Sequence, residues 1–335
     1  MTTHTFRSLV RRLSKAGFKQ SFVRSAILPE WWDDDCEADP DLLPEVEVRV
    51  ARFIGLPLSI VKDPARALAP PEYASAKLRR VRDLDHDRLA PAIHAALRIG
   101  EAVARNLRDP APVVQTPPAD GLEWRREIQA TSGPVTLDSI LGDLWHRGIP
   151  VVSLDVLPAP SFQGVAAVVE GRPVILLGHR HDAPGRVAFF VGHEAGHIAA
   201  SDCAPNQPVV DEDDEILDDA AIERRADRYA KCVLIGADSI PQLECADFKQ
   251  LATQAVELER KTGADASVLI FAWAARTGDY GTATLAVRAL YRDSGARRQL
   301  RQHFDRHVDL ESASESDYAL LHCVHGASEC NETAA

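Results

Sequence analysis

The stretch 186–200, RVAFFVGHEAGHIAA, places His193 and His197 four residues apart in an apolar run. An α-helix stacks positions i and i+4 on one face about one turn apart, so both imidazoles can reach a single ion. Zinc suits two imidazoles at that separation, in a tetrahedral site. Glu194 stands beside them, placed to take a proton from a water whose pKa the ion has lowered. This HExxH pattern therefore commits the stretch to a helix with inward-facing ligands, and it points to hydrolytic chemistry. The plainer alternative is an amphipathic helix whose histidines merely pack or meet solvent.

A catalytic zinc takes a third protein ligand and keeps its fourth position open. Downstream, IERRADRYA (222–230) offers Glu223 and Asp227, again four apart on an expected helix. Glu223 can bind the ion while Asp227 accepts the outer N–H of a ligand histidine and fixes its tautomer. The alternative is a solvated face of i,i+4 ion pairs among Glu223, Arg224, Asp227 and Arg228. Between the two motifs lies DEDDEILDD (Asp211–Asp219), which reads as a solvated acidic loop. It could also select substrate or supply a rival ligand, Glu215.

Taken together, these motifs give the stretch from Leu137 to Gly236 a resemblance to the ImmA/IrrE metallopeptidases, of gluzincin type. The residues that carry it are Gly148-Ile149-Pro150 leading into a short sheet, Arg186 and Phe189 ahead of His193–His197, and Glu223, Ala226, Asp227, Tyr229 and Ala230. The resemblance covers roughly a third of the chain. It implies an intracellular zinc endopeptidase that cuts a DNA-binding helix-turn-helix repressor and so releases prophage, mobile-element, stress or defence genes. It also implies His193, His197 and Glu223 as ligands and Glu194 as base. Ala195 stands where the family usually has Leu, and Asp227 where it usually has Asn; neither change removes a catalytic atom. Spacing identifies no side chain that stabilises an oxyanion, and Tyr229 reads as core.

The remaining chain bounds the setting. With 335 residues, 45% hydrophobic and 26% charged, it has ample apolar residue for a core. The net charge of -12 argues against unspecific coating of nucleic acid. No stretch is long and apolar enough to span a bilayer, and Arg7, Arg11 and Arg12 interrupt the first turns, so a cytoplasmic protein with no membrane partner is expected. Its six cysteines lack paired spacing and read as free thiols.

Four prolines in DPAPVVQTPPADG (109–121) mark a linker. The expected fold class is α+β. A helical N-terminal domain (1–108) and linker (109–122) precede a minimal gluzincin-like zinc-peptidase core (123–240). A C-terminal helical extension for substrate recognition (241–310) and a flexible tail (311–335) follow. In the core, Thr136 caps a helix through Leu144, and Ile149–Leu154, Val165–Val169 and Val174–Leu177 form a small antiparallel sheet. Leu89, Ile93 and Leu97 mark an amphipathic helix before the linker.

Residues 9–63 faintly resemble a Cro-type helix-turn-helix. Where a recognition helix should lie, however, the chain reads PEWWDDDCEAD (29–39), and its carboxylates would repel DNA. Direct duplex binding is therefore not expected, and the region reads as a degenerate module for partner contact or as an unrelated bundle. Trp31 and Trp32 pack in the core, or one of them anchors a partner. Lys77, Arg79, Arg80 and Arg82 read as a solvated helix face. Val268, Phe271, Ala272 and Ala275 share one helical face beyond the core. His303 and His307 read as solvated. His322, Cys323, His325 and Cys330 match no structural zinc module by spacing, although a thiolate from this tail or from Cys203 could hold the site latent. The competing expectation for the whole chain is a silent regulator that binds DNA or a repressor through its N-terminal helices; an intermediate one is a protease held silent until a ligand, single-stranded nucleic acid or partner reaches that domain.

Overall fold

The apolar runs 149–154, 165–169 and 174–177 do form strands, and they lie together with two further strands in one sheet. The computed structural model describes residues 4–69, 77–78, 86–154, 156–158, 162–179, 181–203, 209–211, 220–237, 243, 247–291 and 295–332. In chain order its elements are α1 (Phe6–Lys15), α2 (Gln20–Ala26), α3 (Leu43–Ile54), α4 (Leu58–Lys62), β1 (Lys77–Leu78), α5 (His86–Arg105), α6 (Gly121–Ser132), α7 (Leu137–His146), β2 (Val151–Ser153), β3 (Gly164–Val169), β4 (Arg172–Leu177), α8 (Pro184–Ala199), β5 (Val209–Asp211), α9 (Ala220–Ile235), α10 (Phe248–Thr262), α11 (Ala266–Thr277), α12 (Tyr280–Leu290), α13 (Ala296–His307) and α14 (Glu315–Glu332). The fold is α+β and mostly helical. Among the described residues no helix is long and apolar enough to cross a membrane.

The sheet order is β1-β5-β3-β4-β2. Glu170 and Gly171 both have positive φ, 49° and 72°, which suits a two-residue hairpin turn, and β3 and β4 pair antiparallel as expected. The other pairings correct the expectation of a purely antiparallel sheet. The chain leaving β2 crosses β4 before it enters β3, so β2 runs parallel to β4. Val209–Asp211, which leads into the expected acidic loop, is strand β5, antiparallel to β3 and parallel to β1. Lys77 of the basic cluster lies in β1 rather than on a helix. Arg79, Arg80 and Arg82 lie outside the described residues.

Helices cover both faces of the sheet. α8 packs on β3 and β4 from one side and α5 from the other. A Cβ on Gly100 of α5 would stand 3.4 Å from the side chains of Val174 and Leu176, so the helix lies close against β4. Leu89, Ile93 and Leu97 are buried as their periodicity predicts. The apolar core is continuous across the linker, and Leu107 bridges to Val308 just beyond α13. α7 begins at Thr136 with a capping box and ends before Gly148, whose φ is 70°. α11 is buried almost all round against α8, and its expected apolar face holds except at Ala275, which is exposed.

At the N-terminus, α1 and α2 form as the resemblance implied, but residues 29–39 hold no α-helix and contain one 3-10 turn, Cys36–Ala38. Arg24 of α2 is bound by Asp34 and Glu37, so the carboxylates of this segment neutralise a base-reading type of residue instead of presenting it. Trp32 packs partly against the core and Trp31 stays exposed beside it.

Two expectations about the C-terminus are corrected. His303 is buried, with Nε2 2.9 Å from Asp138 and its ring stacked on His307, which itself stacks on Trp145. The aromatic and carboxylate neighbours needed to bury it lie far away in sequence, on α7. The region expected to be a loose tail forms α14, which packs on α5 and α2. Its anchor is Asp317, which accepts from Arg105 at 2.7 and 3.1 Å and from Asn106 at 3.1 Å. Burial pushes the Asp317 carboxyl up, but these partners outweigh burial and hold it below its ordinary value. A depressed folded pKa stabilises above the unfolded value of about 3.9, and the gain fades as pH falls through the folded value. Asp317→Asn should therefore lower the unfolding free energy at pH 7 by roughly 1–2 kcal/mol, the partly exposed Arg105 screening the pair. In chemical denaturation the two proteins should converge below about pH 4. Equal stability at neutral pH would show that this pair does not hold α14.

Candidate metal centre

The centre is built by two helices that approach closely because small residues face each other. Gly192 and Gly196 recur at four-residue spacing on α8, and Ala226 and Ala230 do so on α9. A Cβ on Gly196 would stand 3.2 Å from Ala226 Cα and Tyr229 Cβ, and one on Gly192 would stand 3.4 Å from Ala230 Cβ. Glu223, one turn before Ala226, is thereby carried to the two histidines. Tyr229 is buried, as expected of a core residue. It stacks on Trp124 and donates its hydroxyl to Pro118 O of the linker at 2.8 Å. Burial pushes its phenol above the ordinary range, so it remains a donor.

His193, His197 and Glu223 are all buried and form a group that can hold a metal ion. Their facing nitrogens, Nε2 and Nε2, are 3.2 Å apart. Two ligands on a tetrahedral zinc, at 2.0–2.1 Å each, stand about 3.3 Å apart. Glu223 Oε2 lies 3.0 Å from His193 Nε2, and Oε1 lies 3.6 Å from His197 Nε2. Each ring is oriented from behind. His193 Nδ1 is 2.9 Å from Asp227 Oδ1, the pairing expected from spacing, and His197 Nδ1 is 3.1 Å from Asp202 Oδ2. A carboxylate at Nδ1 keeps the proton there and turns the Nε2 lone pair forward. Two lone pairs and a carboxylate then converge on one buried point, where a cation satisfies all three.

The electrostatics agree. Burial pushes the Glu223 carboxyl up, but His193 and His197 outweigh it and hold the group far below the usual carboxylate range. Burial works against a charged His197, yet Glu223 and Glu194 raise its pKa overall. The site attracts positive charge, as protons or as a metal.

Glu194 is buried beside the histidines and turns toward the sheet. Its carboxylate lies over Gly164, the first residue of β3; a Cβ there would collide with Oε1 and stand 3.0 Å from Cδ. The absence of a side chain at Gly164 gives the carboxylate its place.

Sequence reasoning missed Asp202, its partner Arg225, and Gly164. Asp202 is brought in by the end of α8. Ser201 takes a left-handed conformation with φ 57°, its N–H bonds to Ile198 O, and Asp202 N–H bonds to His197 O, both at 3.0 Å. These bonds form a Schellman stop. The reversal returns the Asp202 carboxylate to the ring of the residue that accepts its N–H. Arg225, two residues after Glu223 on α9, holds it at 2.5 and 2.6 Å. An Asp five residues after a ligand histidine was the available signal. Of the alternative ligands, Glu215 lies outside the described residues, as do the side chains of Cys323, His325 and Cys330. Cys203 is half-buried against the core.

No family model matches the chain, and no curated protein or solved structure matches it either. The reading of the centre therefore stands on its own donor set.

Two substitutions probe this construction through metal affinity, read by competition with a chelator. Gly196→Val should push α9 outward and cut zinc affinity by at least tenfold, with an overpacking cost of roughly 1–3 kcal/mol in stability. Asp202→Asn should cost about 10–100-fold in zinc affinity while leaving the fold intact. Unchanged affinity in both would mean that neither the close crossing nor the rear carboxylate shapes the site.

Proposed function

We propose that the protein is a zinc-dependent endopeptidase acting in the cytoplasm, with a DNA-binding helix-turn-helix repressor as its substrate. The observation that carries the peptidase reading is the convergence of His193 Nε2, His197 Nε2 and the Glu223 carboxylate. Asp227 and Asp202 orient the rings from behind, and Glu194 stands beside them. The donor set of two imidazoles and one carboxylate is that of a hydrolytic zinc site with an open position. The repressor as substrate is supported by the motif-level resemblance to ImmA/IrrE metallopeptidases. The DNA-reading alternative loses support where residues 29–39 hold no recognition helix.

Zinc held by these three side chains would polarise a peptide carbonyl and lower the pKa of water. The rest falls to the chain. Glu194, buried against β3, accepts the proton of the attacking water and delivers it to the departing amine. Gly164 leaves the space that this buried carboxylate occupies beside the histidines. Asp227 and Asp202 hold the two rings in the tautomer that presents Nε2 forward.

Elemental analysis of protein purified without added zinc should find about one zinc per wild-type chain, with most of it lost in Glu223→Ala. The zinc-loaded wild type should cut members of a proteome-derived peptide library, read by mass spectrometry. Glu194→Gln should retain its zinc and lose at least about 100-fold in rate. A wild type that takes up no zinc on reconstitution, or a fully active Glu194→Gln, would overturn the reading.

A further inference from the structure

One buried imidazole near the centre has no part in holding the ion. His179 follows β4 by two residues and is 7% exposed. Its Nδ1 accepts the backbone N–H of His181 at 3.2 Å, which leaves the ring proton on Nε2. Among the described residues Nε2 makes no hydrogen bond. A buried donor left unmet is destabilising, and such groups are kept where a ligand completes them.

The strand register fixes where this donor stands. Gly164 and Leu177 are directly opposed in the β3–β4 ladder and so share a face of the sheet. That face is the one turned to Glu194, as the closeness of its carboxylate to Gly164 shows. The ladder continues through Gly178, whose N–H bonds to Gln163 O at 3.1 Å. Alternation along the strand then puts His179 on the same face as Leu177, roughly 7 Å further on.

The helix gives the same answer independently. The His179 ring lies 4.7 Å from the ring of Phe190, and Phe190 precedes Glu194 by four residues on one face of α8. His179 thus stands one helical turn from the base, toward the start of α8. Burial, joined by His181, Arg186 and Arg297, pulls its pKa down to about 3, so at neutral pH it is an uncharged N–H donor that does not neutralise Glu194.

We infer that His179 donates its Nε2–H to the carbonyl oxygen of the peptide bond being cut, as negative charge develops there. This assignment rests on the peptidase reading above. When the water oxygen bonds to the carbonyl carbon and Glu194 takes the proton, the C=O π pair moves onto the oxygen that His179 faces. When the C–N bond breaks, that pair reforms C=O, and the proton on Glu194 passes to the amine. His179 keeps its own proton throughout, so no further reactant is required.

The test compares His179→Phe, which keeps an aromatic ring against Phe190 but has no N–H, with His179→Gln, whose amide nitrogen can take the place of Nε2. Two readouts are used on zinc-loaded protein: turnover of the peptide cut fastest from the proteome-derived library, and calorimetric binding of a phosphonamidate analogue of that peptide, whose tetrahedral anion resembles the charged intermediate. His179→Phe should lower kcat about 100-fold with KM within threefold, and weaken the phosphonamidate at least tenfold, with zinc content unchanged. His179→Gln should recover at least tenfold of both losses. Unaltered kcat and phosphonamidate affinity in His179→Phe, with Glu194→Gln still inactive, would overturn the role of His179 and leave the peptidase reading standing. A zinc-loaded wild type that cuts no peptide would overturn both.

Discussion

The approach of α8 to α9 is the constraint on which the centre depends. An α-helix brings two imidazoles to one face without help, but the third ligand belongs to another helix and must be delivered to within about 3 Å. Ordinary helix packing separates axes by 8–10 Å with side chains filling the seam. Gly192 and Gly196 remove those side chains from α8, and Ala226 and Ala230 answer them on α9, so the backbones meet and Glu223 reaches both rings. The same glycines weaken the helix intrinsically, by roughly 1 kcal/mol each. Burial of α8 against the sheet, α9 and α11 offsets that weakness.

The charges around the centre are arranged in order from the ion outward. Glu223 faces the histidines directly, Asp227 and Asp202 face their outer nitrogens, and Arg225 answers Asp202. Each group is held by the next, so the interior does not have to bury an unanswered charge except where a cation belongs. The stop of α8 takes part in this order. A left-handed Ser201 is less favourable than a glycine would be, yet the reversal it makes is what returns Asp202 to the ring of His197.

How much of this was legible in the chain follows from how local each cause is. Helix spacing paired His193 with His197 and Glu223 with Asp227, because i,i+4 neighbours need nothing beyond their own helix. Strand runs and the Thr136 cap of α7 were readable for the same reason. What escaped depends on contacts between distant segments. β5 forms because β3 offers it an edge, α14 because Arg105 and Asn106 receive Asp317, and His303 is buried because α7 supplies Asp138 and Trp145 on its far side. Gly164 escaped because a glycine's importance lies in what would collide with a side chain, and that neighbour, Glu194, is thirty residues away.

The position of Gly164 separates two tasks carried by one shared helix. Helix packing, α8 on α9, sets the three ligands. Helix-on-sheet packing, α8 on β3 and β4, positions Glu194 and the imidazole of His179 along the same face. The two contacts use opposite aspects of one helix: its glycines toward α9, and Phe190 and Glu194 toward the sheet. Because interiors are packed to crystal-like density, a shift in one contact is not absorbed by softness in the other. The group that can hold a metal ion and the placement of Glu194 therefore answer to different seams of the fold. A small mixed sheet suffices to place Glu194 and His179, since that needs only one strand residue without a side chain, Gly164, and one strand end.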